Sequence, residues 1–123
     1  MLVRTVTASP VSLPTITAPQ RFKCRFIDRV RVRGRRETVV LFEVLDGEPE
    51  AQRTLKLSYR NELAHALKLY YNKEFDGALE IIARLIPANS KDEVLRIYRK
   101  RCELLVNLGT PDNWVGVEEV SAR

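Results

Sequence analysis

The sequence is poor in cysteine and glycine, has one histidine, and lacks any apolar run near the ~20 residues that a membrane span needs. Its two cysteines, Cys24 and Cys102, are too few and too far apart for a disulfide framework or a zinc site. We expect both to be reduced and buried. The N-terminus also lacks the continuous apolar core of a signal peptide. These absences predict a cytoplasmic protein of one or two small units.

The charged residues are unevenly distributed. The formal net charge is only +5, yet residues 21–36 contain eight Lys or Arg and one acid, and residues 37–50 contain five acids and no base. The positive charge is therefore local and does not by itself indicate nucleic-acid binding. The aromatic residues that single-strand binding needs are not interleaved with the arginines, so a small basic nucleic-acid binder is a third hypothesis only.

Residues 1–46 favour extended structure. In residues 1–20, three prolines interrupt Thr, Ser and single aliphatic residues, which predicts an extended or disordered arm. Residues 21–46 alternate apolar and basic side chains up to Gly34, which accepts a positive φ, and then continue as an apolar strand. This pattern predicts a β-hairpin that needs protein on each side and whose edge allows self-association.

Residues 56–109 show helical periodicity after a polar break at 46–50. We predict three helices, over about 56–72, 75–86 and 90–108, the third opening with a capping box formed by Ser90 and Glu93 and carrying Ile97 on its buried stripe. The tail, residues 110–123, carries Trp114, which is expected to pack back on the helices. The predicted fold class is therefore α+β, with an arm and hairpin followed by a three-helix unit.

Few residues offer catalytic or binding chemistry. No Ser/His/Asp or metal-ligand spacing includes His65, so we expect a surface position for it and predict no catalytic residue, metal or cofactor. Arg96, Arg99 and Lys100 form either the solvated face of the third helix or a docking patch for an acidic partner. A partner-facing Trp114 is the alternative to back-packing.

Residues 64–79, AHALKLYYNKEFDGAL, resemble a tetratricopeptide repeat, in which small residues allow two helices to approach closely. The bulky aromatic residue that this family usually carries near the start of the first helix is absent. A solenoid needs at least three repeats, so we predict one divergent repeat plus a third helix rather than a concave peptide-binding array.

A second resemblance covers about residues 9–120. Residues 26–35, FIDRVRVRGR, and 39–45, VVLFEVL, resemble the last two strands of a class III adenylate/guanylate cyclase catalytic domain. The helices that follow, with residues 112–117, DNWVGV, are similar to the C-terminal tail of bacterial members. The resemblance implies that a cyclase needs two metal-binding Asp residues, a base-recognising pair, and an Asn and an Arg upstream of the hairpin. None has a counterpart here, so we expect no catalysis by this chain alone.

The same resemblance implies a role for the hairpin turn. A turn lysine of that family lies near the nucleotide phosphates, and Arg33 and Arg35 occupy the matching positions as weak phosphate-binding candidates or as a solvated tip. The sequence thus indicates a non-catalytic C-terminal piece of a class III cyclase, acting as a regulatory or protein-interaction module. Its partner would be another protein, a second copy, or the rest of a cyclase catalytic domain. A stand-alone tetratricopeptide-like adaptor is the alternative.

Overall fold

A computed structural model of the chain describes residues 2–8 and 23–120, and the predicted α+β fold class is confirmed. The strands are β1 (Leu2–Ala8), β2 (Cys24–Val32), β3 (Thr38–Val44) and β4 (Glu118–Val120). The helices are α1 (Glu50–Ser58), α2 (Arg60–Tyr71), α3 (Phe75–Leu85) and α4 (Glu93–Leu108). Across the described ranges, no helix is both long enough and apolar enough to traverse a membrane.

The chain divides into two compact units. The sheet unit comprises Met1–Arg53 and Gly116–Arg123, and the helical unit comprises Thr54–Val115. Because the sheet unit takes residues from both sides of the helical unit, it is discontinuous in sequence.

The sheet unit is built around the predicted hairpin. β2 and β3 pair antiparallel, and the backbone NH of Arg35 donates to the carbonyl of Val32 over 2.9 Å at the turn, where Gly34 has φ +86°. Only glycine adopts this backbone conformation without a steric penalty. A register shift between Phe26 and Asp28 marks a bulge in β2.

Strands from elsewhere in the chain line both edges of this hairpin. The sheet order is β1-β3-β2-β4, with β1 antiparallel to β3 and β4 parallel to β2. Part of the predicted arm is therefore strand β1, while residues 9–20, the hairpin residues 21–22 and the tail residues 121–123 lie outside the described part of the chain. β1 and β4 are the outermost strands of the described sheet, and β4 pairs with only Val30–Val32 of β2.

The region predicted as one helix over 56–72 contains two helices, so that boundary was wrong. α1 begins at Glu50, inside the stretch that we interpreted as a polar break. Pro49 is compatible with a helix start because its missing NH would have no intrahelical partner there, and its carbonyl accepts from the Arg53 NH at 2.9 Å. Tyr59, with φ −114° and ψ 13°, separates α1 from α2.

The N-terminus of α4 also differs from the prediction. Ser90 is exposed and does not cap the helix; the N-cap is Asp92, whose Oδ1 accepts from the Val94 NH at 3.1 Å. The Tyr59 hydroxyl donates to Oδ2 of Asp92 over 2.5 Å and accepts from the Asn89 amide at 3.0 Å. This buried network fixes Asp92 at the cap, which explains why the capping-box prediction was wrong.

The helical unit has its core where α2 packs on α3 and α3 packs on α4. A Cβ added at Gly77 would lie 3.3 Å from Cδ1 of Leu69, so α2 and α3 approach closely at this glycine. In α4, Ile97 was predicted on the buried stripe but is 45% exposed, whereas Leu95 is fully buried. The buried residues of α2, α3 and α4 are Leu63, Ala66, Leu67, Tyr70, Phe75, Ala78, Ile82, Leu85, Val94, Leu95, Tyr98 and Cys102.

Candidate functional site

The arginine-rich end of the hairpin is the first candidate site. We call it the arginine tip and define it as Arg31, Arg33, Arg35 and Arg36, all of which are exposed. Arg31 is the last residue of β2 that pairs with β3, and the tight turn at Gly34 follows three residues later. Four guanidinium groups within six residues make this the most basic part of the described sheet.

Strand β4 brings a carboxylate to the arginine tip. Its parallel pairing with β2 sets Glu119 opposite Arg31, and the Arg33 NH donates to the Val120 carbonyl at 2.8 Å. Arg31 Nη2 and Arg33 Nε then donate to the two oxygens of Glu119, each over 3.3 Å. One carboxylate thus offsets two guanidinium groups and leaves the tip with net positive charge.

These ion pairs remain accessible to solvent. The side chains of Arg31, Arg33 and Glu119 are 46%, 76% and 45% exposed. Exposed ion pairs contribute only about 0–1 kcal/mol and weaken with salt. A multivalent anion therefore has access to Arg33 and Arg35, the two phosphate-binding candidates, and Glu119 would compete with it at Arg33.

A third ion pair, which is buried, joins the two hairpin strands. Arg25 Nη2 donates to Oε2 of Glu43 over 3.0 Å, and the two side chains are 2% and 0% exposed. Arg25 and Glu43 are direct partners in the register of β2 and β3. The sequence pattern predicted an apolar strand here and gave no partner for Glu43. The pair explains how a carboxylate is tolerated there, since a buried charge needs a close opposite charge.

The other candidate interaction residues lie in the helical unit. Arg96, Arg99 and Lys100 are exposed together on α4, with Arg99 Nε 3.6 Å from a carboxylate oxygen of Glu103. Trp114 is not part of this face. Its half-buried ring packs edge-on against Tyr70 and Phe75, with ring centroids 5.3 Å and 5.2 Å away.

Among the described residues, the remaining reactive side chains do not come together in one site. His65 is exposed on α2, and within residues 2–8 and 23–120 no three His, Cys, Asp or Glu side chains are grouped to hold a metal ion. Cys24 and Cys102 are both free thiols and both buried. Burial raises the pKa of the Cys102 thiol to about 11, with nearby Glu103 adding to the rise and Arg101 opposing it.

Comparison with known proteins gives one informative similarity. Over 86 residues, 70% of this chain, the sequence is 31% identical to the terminal-differentiation-specific adenylate cyclase of Dictyostelium discoideum. The matched segment is 4% of that protein, so the chain spans only a small part of its length. No known protein family and no solved structure matches the chain. The similarity supports a distant relationship to an adenylate cyclase.

Proposed function

We propose that this chain is a non-catalytic piece of a class III nucleotide cyclase, or a remnant of one, that acts as a regulatory or protein-interaction module in cytoplasmic cyclic-nucleotide signalling. The observation that carries this proposal is the similarity over 86 residues to an adenylate cyclase. The hairpin turn at Gly34 and the order of hairpin, helices and Trp114 agree with the resemblance to the C-terminal end of such an enzyme.

In this proposal the sheet unit is the part closest to the nucleotide chemistry. Arg33 and Arg35 stand at the positions where the resemblance expects a phosphate-facing turn, and their exposure leaves them accessible to an anion. The proposal makes the chain non-catalytic because the metal-binding Asp residues that the resemblance expects upstream of the hairpin have no counterpart in this sequence. Two-metal chemistry needs carboxylates that hold ions roughly 3.5 to 4 Å apart. The rest of a cyclase catalytic domain would be the natural neighbour of β1, an outermost strand of the described sheet.

The helical unit supplies the interaction function in the same proposal. A second candidate, a stand-alone tetratricopeptide-like adaptor, is favoured by the close approach of α2 and α3 at Gly77. Such an adaptor would bind a protein partner or self-associate through the β1 or β4 edge. Size-exclusion chromatography with light scattering distinguishes partner binding from self-association. Pairing of sheet edges predicts a dimer of this chain, whereas an adaptor that binds another protein is expected to be a monomer on its own.

Two experiments test the proposal. The purified chain is incubated with ATP or GTP and Mn²⁺ or Mg²⁺ beside an active cyclase, and we expect no cyclic nucleotide from this chain; turnover would overturn its non-catalytic assignment. The transcript is then read upstream of the Met1 codon. An in-frame stretch with paired Asp residues supports a cyclase piece, and its absence favours the adaptor. Salt-sensitive binding of a short RNA would instead favour the nucleic-acid alternative.

A further inference from the structure

Helix α4 carries an apolar stripe that the helical unit leaves uncovered. Ile97, Leu104 and Leu108 are 45%, 49% and 80% exposed. Their spacing of seven and then four residues places them along one side of the helix, over about three turns. Val106 is also 45% exposed, but its position in the sequence places it on a different side.

Basic residues flank the N-terminal half of this stripe. Arg96 and Lys100 are exposed, and within the described part of the chain neither forms an ion pair, in contrast to Arg99, which pairs with Glu103. At ~1.5 Å of rise per residue, Arg96 lies about 12 Å along the helix axis from Leu104. Glu93, which is exposed one turn before Ile97, offsets one of these two cations. The face therefore has a net positive charge towards its N-terminal end and is apolar towards its C-terminal end.

We propose that this α4 face, defined as Arg96, Ile97, Lys100, Leu104 and Leu108, binds an amphipathic helix of a partner protein that carries acidic residues beside leucine-like anchors. A narrow stripe about three turns long suits the side of another helix. Charge complementarity selects an acidic helix, because two unpaired cations flank the apolar positions. The inference rests on the proposed interaction function and specifies its partner.

A second copy of this chain fits the face poorly. In a symmetric antiparallel pairing of two α4 helices centred at the level of Cys102, the midpoint of the face, Lys100 of each copy would lie against Leu104 of the other. Arg96 of each copy would likewise lie against Leu108. Burying two cations of each copy against leucine disfavours the pairing. The acidic helix avoids this penalty.

The experiment uses the full chain and a fluorescein-labelled synthetic helix with leucines at i, i+3, i+4 and i+7 and glutamates on the flanks. Fluorescence anisotropy should show saturable binding of this probe that weakens as salt rises. The same helix with lysines in place of the glutamates should bind at least ~10-fold more weakly, because its lysines would face Arg96 and Lys100. A tenfold loss of affinity corresponds to about 1.4 kcal/mol of binding free energy. Leu104→Glu should weaken binding of the acidic probe by a similar factor.

Two further variants separate this face from the general surface of the helix. The double variant Arg96→Glu, Lys100→Glu should weaken binding at least ~10-fold and remove most of its salt dependence. Val106→Glu adds the same charge on another side of α4 and should leave binding unchanged. Circular dichroism on each variant verifies that the helices are retained, which the exposure of all four substituted side chains favours.

Several outcomes would overturn the inference. Equal binding of the acidic and basic probes, or an equal loss in Val106→Glu, would show that the face is not selective. A dimer that Leu104→Glu dissociates would assign the face to a second copy. Binding to phosphatidylserine vesicles, without binding to the acidic probe, would assign it to a lipid surface. None of these results bears on the cyclase assay or the transcript, so the proposed relationship to a cyclase stands or fails separately.

Discussion

Glu119 lies with a carboxylate oxygen 3.3 Å from Nε of Arg33, although the two residues are 86 positions apart in the chain. The parallel pairing of β4 with β2 produces this contact, and the same carboxylate also accepts from Arg31. The last described strand thus supplies an internal anion to the arginine tip.

Replacing Glu119 should free the arginine tip for external anions. We expect Glu119→Gln to bind inorganic tripolyphosphate several-fold more tightly than the unchanged chain, as measured by isothermal titration calorimetry. The free energy of unfolding should change by less than ~1 kcal/mol, because the ion pairs are exposed. Glu80→Gln, which removes an exposed carboxylate from α3, is the matched control. Equal affinities in all three proteins, or tight binding that survives Arg33→Ala, would contradict the prediction.

Breaking the buried pair between Arg25 and Glu43 should be costly. Removing one partner leaves an uncompensated charge at a site with almost no solvent, so Arg25→Met or Glu43→Leu alone should destabilise the sheet unit by about 3–5 kcal/mol. The double variant should recover most of that loss, because two apolar side chains of similar volume suit the site. Urea denaturation of the four proteins gives the coupling energy, and strictly additive losses would show that the pair does not act as a unit.

The hydrogen bond from Tyr59 to Asp92 should stabilise the start of α4. Tyr59→Phe removes the hydroxyl while keeping the ring, and we expect it to cost about 1–3 kcal/mol because Asp92 then loses a buried donor. Asp92→Ala should cost more, since it also removes the N-cap acceptor for Val94. Tyr71→Phe, which alters a half-buried hydroxyl bonded to Tyr98, provides the comparison in thermal denaturation. A negligible effect of Tyr59→Phe would contradict the prediction.

Cys102 should resist modification in the folded protein. In a Cys24→Ser variant, a disulfide exchange reagent at pH 8 should react slowly with the native chain and rapidly in urea, because the thiol is buried and its pKa is raised to about 11. The pH dependence has a definite sign. The folded state keeps the thiol proton up to about pH 11, whereas the unfolded chain releases it near its usual pKa of about 9.

Stability should therefore fall as the pH rises from about 9 to 11, since the unfolded state binds fewer protons there. The contribution of this thiol is intact below pH 9. Comparing urea midpoints of Cys24→Ser with Cys24→Ser, Cys102→Ala across this range isolates the effect from other groups. Parallel midpoint curves in the two variants would contradict the assigned pKa.

The elements with regular local periodicity were predictable from the sequence. The period-two pattern and Gly34 identified the hairpin, and the apolar stripes identified most of α2, α3 and α4. The errors occurred where one local signal outweighed another. Pro49 and its acidic neighbours indicated a loop, although proline also fits a helix start. Ser90 was predicted as the cap instead of Asp92 because Tyr59, whose hydroxyl fixes Asp92, is distant in sequence.

The candidate sites also divide into residues that local sequence patterns identified and contacts that depend on the tertiary fold. Arg33 and Arg35 were found through a local resemblance, whereas the contact of Glu119 with Arg33 depends on the order of strands and leaves no signature in spacing. Ile97 was assigned to the buried stripe because its spacing fits the helix period. The core covers a narrower arc of α4, centred on Leu95, Tyr98 and Cys102, so the stripe extends beyond the surface that is packed.

The discontinuous sheet unit has a consequence for biogenesis. Because Thr54–Val115 is interposed between β3 and β4, a ribosome must complete all of that segment before β4 can join the sheet. Until then Val30–Val32 of β2 lack their β4 partner, and Arg31 and Arg33 lack the Glu119 carboxylate. Folding of the helical unit also shortens the flexible loop between β3 and β4. Unfolding of that unit should therefore raise the entropic cost of pairing β4 with β2. The nascent chain would thus expose a more strongly cationic arginine tip than the finished chain, in which Glu119 offsets part of that charge.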